Sequence, residues 1–280
     1  MKITLKNKIV GTMLASLLAL SATNAQATAI RLNTGFNNNT LAANDDGSTG
    51  LINFGFTINF FGNNRTGGYV NTNGNVTLDS PLRTFTPFAL STTNQEILAP
   101  FFADVDTRTG PLVSYGADTV GGRNAFGANW IDVCFYRRDC SLTNSFQLVI
   151  IDRSDITAGD FDFEFNIDDI NWETGDASSG TGGLGGDSAR VGWSNGSGRT
   201  FELAGSAVNG AFLNGGPSSL ISNELNSDLS VGGTTMGRYF FQVRNGNVVQ
   251  PPSDVPAPGV LTLFGFGLIG LGLARRKRKK

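Results

Sequence analysis

The stretch Ile97–Gly116, ILAPFFADVDTRTGPLVSYG, reads as a buried strand, a turn and a returning strand. Ile97, Leu98, Phe101 and Phe102 form an apolar run interrupted by Pro100, and Ala103 and Val105 then alternate with Asp104 and Asp106. Residues two apart on a strand share a face, so this spacing sends both carboxylates one way and the apolar side chains the other. Thr107 to Pro111 has turn chemistry, and Leu112, Val113 and Tyr115 begin the return.

Similar short segments flank this stretch. In Leu51–Phe61, LINFGFTINFF, Phe54, Phe56, Ile58 and Phe60 fall on one face, and Gly62 to Gly68 reads as a turn. Tyr69–Leu78, YVNTNGNVTL, is a hairpin pattern with Asn73-Gly74 at its tip, where both central residues need positive φ. Downstream, Asp118–Asn129 reads as a Gly-rich connection, and Trp130–Tyr136, Ser145–Asp152 and Gly237–Val243 read as strands. The chain has 280 residues with 37 Gly, and its 21 Phe outnumber Tyr and Trp together. With no long 3.6-period stripe, this predicts an all-β domain of short strands and tight Gly/Asn-rich turns, of β-sandwich type.

Charge is unevenly placed. The formal net charge is −2, but all six Lys lie at the chain ends, at 2, 6, 8, 277, 279 and 280. Between Thr28 and Asp254 there are 12 Arg and 23 Asp plus Glu, so 12 − 23 = −11. Such a field repels phosphate backbones and argues against a nucleic-acid partner. There is no His, which removes Ser–His–Asp and Cys–His catalysis, His-ligated zinc and an imidazole switch. The lack of Lys in the central part removes a phosphate-binding loop and a Schiff-base lysine there.

The acids are the remaining candidates for chemistry. Asp45 and Asp46 sit in an Asp-Asp-Gly turn and read first as turn residues, with ion ligation as the second reading. In DFDFEFNID, Asp160, Asp162 and Glu164 share one strand face, and Phe161, Phe163, Phe165 and Ile167 share the other. The simplest reading is a half-buried strand with a charged, solvated face. The sharper one is a calcium site drawn from Asp104, Asp106, Asp160, Asp162 and Glu164, since hard oxygen ligands suit this ion. No other cofactor is implied. Two motifs fail their context. Gly180–Gly185 satisfies G-x-G-x-x-G without a preceding buried strand or a following helix. Gly192–Gly196 satisfies G-x-S-x-G, but Ser194 has no His to activate it.

Several blocks together resemble the nidogen-like (NIDO) extracellular domain. They are Phe60-Phe61-Gly62, Val70-Asn71-Thr72-Asn73-Gly74, the Ala99-to-Asp106 core, Ile170-Asn171-Trp172, Ala189 to Trp193 and the closing Gly237–Val243. Phe102 stands where many members have Trp. The resemblance spans roughly Phe36 to Arg244 and implies an extracellular, β-rich, non-catalytic module.

The ends read as export signals. Residues 1–27 have a basic n-region at Lys2, Lys6 and Lys8, an apolar stretch from Ile9 to Ala22, and Ala25-Gln26-Ala27 as a cleavage site. The β domain then occupies 28–250. Export brings Cys134 and Cys140, the only cysteines, into an oxidising compartment, which favours a disulfide across their short loop. Residues 251–259 form a Pro-rich linker, 260–274 a short transmembrane helix about 23 Å long, and 275–280 a basic end that stays cytoplasmic. This tail resembles the PEP-CTERM sorting signal, with Val255-Pro256-Ala257-Pro258 at its motif and Ala257 in place of the usual Glu. That resemblance implies a Gram-negative source, a transient inner-membrane stage and an exosortase-type partner.

The expectation is an exported surface or matrix protein that interacts with exopolysaccharide, other envelope proteins or itself, with Tyr69, Trp130 and Trp193 as aromatic contacts or as core. A secreted hydrolase using Asp104 and Asp106, and a calcium-stabilised adhesin held in the inner membrane, are the alternatives.

Overall fold

The computed structural model describes residues 28–223 and 235–249. The export segment 1–27, the sorting motif at 255–258 and the apolar and basic tail lie outside the described residues. Among the described residues no helix is long and apolar enough to cross a membrane.

Among the described residues, fourteen strands form two sheets. The first contains β1 (Asn39–Thr40), β6 (Val105–Asp106), β7 (Ser114–Val120), β8 (Arg123–Phe135), β9 (Asp139–Asp152), β10 (Phe161–Asp169), β13 (Arg238–Arg244) and β14 (Asn247–Val249). Its order is β1-β7-β8-β9-β10-β13-β14, with β6 also on β8. The second contains β2 (Ile52–Phe60), β3 (Asn63–Asn71), β4 (Asn75–Thr77), β5 (Glu96–Phe102), β11 (Arg190–Asn195) and β12 (Thr200–Glu202), ordered β12-β11-β5-β4-β3-β2. All the pairings are antiparallel. The inner faces enclose one core, with Phe54, Ile58, Phe60, Leu98 and Phe101 from one sheet and Trp130, Phe146, Phe161, Phe163 and Phe241 from the other. Aromatic rings stack inside it, Phe163 on Phe241 at 4.6 Å and Trp130 on Phe146 at 5.3 Å. Each buried ring adds on the order of 2–3 kcal/mol of apolar transfer.

β5 shows why its sequence is apolar throughout. Both of its faces are covered. Leu98 and Phe101 point into the main core, while Ile97, Ala99 and Phe102 pack with Leu82, Leu90 and Phe88 beneath the 79–95 loop. Strict alternation would put Leu98 and Phe102 on the same side. The register against β11 runs Gly192↔Ala99 and then Arg190↔Phe102, so β5 carries one extra residue at Pro100. Proline cannot donate to a ladder and is tolerated at such a bulge.

Three expectations are corrected. The chain does not run as one strand through Asp106: β5 ends at Phe102, and β6 pairs with β8 in the opposite sheet. Residues 103–104 are therefore a crossover between sheets. Residues 62–68 are not a turn: β3 begins at Asn63, its first half an exposed polar edge. Residues 118–129 are not a connection. β7 runs to Val120, Gly121-Gly122 turns, and β8 begins at Arg123. Gly127 sits under the Phe36 ring, where a Cβ would come within 2.4 Å of Cγ, so this strand residue has to be small. Of the two readings open for Trp130 and Trp193, the core one holds.

Candidate functional site

The hairpin tip, the crossover and two loops meet at one place. β3 and β4 pair with Asn71↔Asn75 in register, joined by Thr72-Asn73-Gly74. Of these three only Gly74 has positive φ, at 73°. The tip is not solvent-exposed, because β5 passes over it. The Phe101 N–H donates to the Gly74 carbonyl at 3.3 Å, and the Ala103 N–H to that of Asn73 at 3.4 Å. A Cβ on Gly74 would stand 1.8 Å from the Phe101 carbonyl oxygen, so no other residue fits. Trp130 Nε1 donates to the Thr72 carbonyl at 2.9 Å, which ties the tip to the opposite sheet.

Asn73 bridges two segments. Its Oδ1 accepts the Val105 N–H at 3.0 Å, and its Nδ2 donates to Asp46 Oδ1 at 2.9 Å. The loop that carries Asp45 and Asp46 is fixed around Asn44. Asn44 Oδ1 accepts the Gly47 N–H at 2.6 Å and the Thr72 hydroxyl at 2.5 Å, and its carbonyl accepts the Thr107 N–H at 2.9 Å.

Asp104 lies at the centre and is 1% exposed. Its carbonyl accepts the Tyr136 N–H at 3.0 Å. Its Oδ2 faces Gly175, where a Cβ would lie 2.4 Å away, and the Ser178 hydroxyl at 3.5 Å. Among the described residues its Oδ1 has no hydrogen-bond donor, and neither does Asp45 Oδ1. One carboxylate oxygen from each of Asp45, Asp46 and Asp104 lies within 4.8 Å of the others. Burial, reinforced by Asp45, Asp46 and Asp106, pushes the Asp104 carboxyl up to about 7. Burial, with Asp106 and Asp46 adding to it and Arg108 opposing it, raises Asp45 to about 6.

Asp106 behaves differently from its neighbour. It is fully buried, yet the Arg108 side chain holds it at 2.5 and 2.9 Å and the Arg108 and Arg138 N–H groups at 3.0 and 2.9 Å. Burial would raise this carboxyl, but those bonds outweigh it and hold it below the usual range. Arg108 also reaches Asp45 Oδ2 at 3.1 Å and lies over the Tyr136 ring. Asp104 and Asp106 are therefore not a matched carboxylate pair: one is bound to a guanidinium and the other stands among acids.

The acids of β10 are not a solvated face, contrary to the simplest expectation. Asp160, Asp162 and Glu164 are buried on the outer side of a strand flanked by β9 and β13. Arg31 grips Glu164 through two 2.6 Å bonds. Arg153 and Arg244 meet Asp162 at 2.6 and 2.7 Å. Asp160 Oδ1 accepts the Asn245 N–H at 2.7 Å. Arginines thus occupy the positions that calcium would fill at Asp162 and Glu164. Sequence alone does not bring Asp104 to Asp45 and Asp46, whose Asp-Asp-Gly pattern reads first as a turn and second as ion ligands. Cys134 and Cys140 are joined by a disulfide beside Gly110, at the end of the β8–β9 hairpin. Ser194 lies within β11 rather than at a strand-to-helix turn.

A nidogen-like domain family model matches residues 66–121 and 113–245, and a PEP-CTERM protein-sorting motif model matches 254–279. Alpha-tectorin of Mus musculus and alpha-tectorin of Homo sapiens are each 32% identical over 189 residues. Those alignments cover 58% of this chain and 8% of either relative's length. No solved structure matches the chain significantly.

Proposed function

The chain belongs to the nidogen-like domain family, and on that premise we propose that it is a non-catalytic interaction protein of the bacterial surface or extracellular matrix. An exosortase-type enzyme would sort it through residues 254–279, and it would bind matrix exopolysaccharide, other envelope proteins or itself. The observation that carries this reading is the pairing in one chain of an extracellular-type domain with a sorting motif. That pairing marks an exported protein, and the motif implies recognition by a sorting enzyme of this kind. The hydrolase alternative has weak footing, since Asp106 is locked to Arg108 and Asp104 is buried.

The test is intact mass of the protein recovered separately from inner membrane, outer envelope and medium. The expected product lacks everything before Thr28 and everything after about Pro258. A mass that retains Val260 to Lys280, found only in the inner membrane, overturns the sorting reading. Binding of the released form to matrix polysaccharide without release of reducing sugar separates the interaction module from a hydrolase.

A further inference from the structure

We propose that Asp45, Asp46 and Asp104 bind a calcium ion that clamps the 42–47 loop onto the crossover between the two sheets. Three acids in a cluster are not a site by themselves, but here the central one is 1% exposed and its Oδ1 has no donor among the described residues. A buried carboxylate oxygen without a partner carries a large desolvation cost that a cation removes. Asp104 Oδ2 is turned to Gly175 and Ser178, which leaves Oδ1 for the other acids.

Geometry and charge both suit a divalent ion. The three oxygens lie within 4.8 Å of one another. Calcium accepts irregular sets of six to eight oxygen ligands, whereas magnesium demands a near-ideal octahedron and gives up its waters reluctantly. The charged groups facing the cluster are Asp106, Arg108 and Arg138, with Tyr136 beside Arg108. Four carboxylates against two guanidinium groups leave two negative charges. Arg108 is already committed to Asp106 and to Asp45 Oδ2, so it does not reach the bare oxygens. The remaining coordination positions would go to water and backbone carbonyls, as is usual for calcium.

The ion would have a defined mechanical role. The cluster joins the 42–47 loop, the hairpin tip through Asn73, the crossover at Asp104 and the 173–180 loop packed on Oδ2. Calcium there would make the sheet-to-sheet connection rigid only outside the cell, where calcium is abundant. Extracellular sites of this class bind on the order of 0.1–1 mM.

The experiment follows thermal unfolding of the purified full chain in chelator, then with 10 mM calcium chloride, 10 mM magnesium chloride, or potassium chloride at matched ionic strength. Calcium is expected to raise Tm by about 3–10 °C, from its saturation and the size of the domain. Magnesium should do clearly less and potassium nothing. Asp104→Asn and Asp46→Asn should abolish the calcium increment, with folding checked by far-UV circular dichroism. Asp155→Asn, at an exposed acid paired with Arg123 and Arg153, should retain it. If Asp104→Asn does not fold, Asp46→Asn and calorimetric titration of wild type with calcium chloride decide the question. No calcium increment, an equal increment with potassium chloride, or an increment that survives in Asp46→Asn overturns the proposal.

Discussion

Glu164→Gln should destabilise the domain far more than an ordinary surface-charge change. Glu164 is 1% exposed on the outer face of β10. It accepts two 2.6 Å bonds from Arg31 and one from Asn166 at 3.1 Å, with Arg238 Nε at 3.8 Å. Removing its charge takes away the buried carboxylate that the Arg31 and Arg238 guanidinium groups share. Breaking one side of a buried pair costs about 3–5 kcal/mol. The Arg31 and Arg238 side chains keep 17% and 22% of their exposure, so solvent offsets part of this, and about 3 kcal/mol is expected. For a domain of this size that corresponds to roughly 6–12 °C in Tm. The assay is urea and thermal unfolding followed by tryptophan fluorescence, for Glu164→Gln, Arg31→Met and the double variant. The double variant should cost less than the sum, because loss of the Arg31–Glu164 pair is then counted once and not twice. Arg190→Gln is the control: its pair with Glu202 is partly exposed on both sides and should cost under about 1 kcal/mol. A Glu164→Gln cost no larger than the control, or strict additivity of the two single variants, would refute the reasoning.

Three further outcomes are expected. In chelator, stability should fall as pH rises from about 4 to 7, because the Asp104 carboxyl, raised by burial and by neighbouring acids to about 7, binds its proton more tightly folded than unfolded. The loss for Asp104 is on the order of 4 kcal/mol; it is complete above pH 7, and Asp104→Asn should flatten the slope in pH-dependent urea titrations. Gly74→Ala should abolish soluble expression, read as the soluble fraction after export, since both its φ and the Phe101 carbonyl exclude a side chain. Replacing both Cys134 and Cys140 by Ser should cost only about 2 kcal/mol in chemical denaturation, because the bridge closes a short loop with a sequence separation of 6.

Elements that rest on local chemistry were legible in the sequence. Alternation in 52–60 and 161–167, the Asn-Gly turn and the closing strand all appear where periodicity puts them. Features that depend on distant partners were not. Ala103-Asp104-Val105-Asp106 alternates smoothly, and nothing local marks the change of sheet between Phe102 and Val105. Period-two acids in β10 read as a solvated face because a pattern records alternation, not what covers each side. Their counter-ions come from Arg31, Arg153 and Arg244, up to 133 positions away in the chain. The candidate site was half visible for the same reason. Asp104 was singled out, but its partners lie about 60 positions upstream in a segment whose own signal was that of a turn. The starts of β3 and β8 were hidden by polarity and glycine, the first because it is an exposed edge and the second because Phe36 needs the space at Gly127.

The blocks that carry the family resemblance converge physically. Asn73 and Gly74 of the hairpin lie under Phe101 to Val105 of the core stretch, and Trp172 packs edge-on against Phe101 at 5.9 Å and donates to the Val133 carbonyl at 3.1 Å. Trp193 closes the far end of the same core against Phe60 and Phe61. The signature thus describes how two sheets are fastened together, with its Asn, Thr and Trp side chains turned inward and already hydrogen-bonded or packed. Sugars or partner proteins would have to be met elsewhere, on strand edges and loops that the signature leaves free to vary. Loss of binding in a variant of Asn73, Gly74, Asp104 or Trp172 would then report a loosened crossover before it reported a lost contact. Only variants at exposed residues outside this junction, made in a domain whose melting is unchanged, can map where the partner sits.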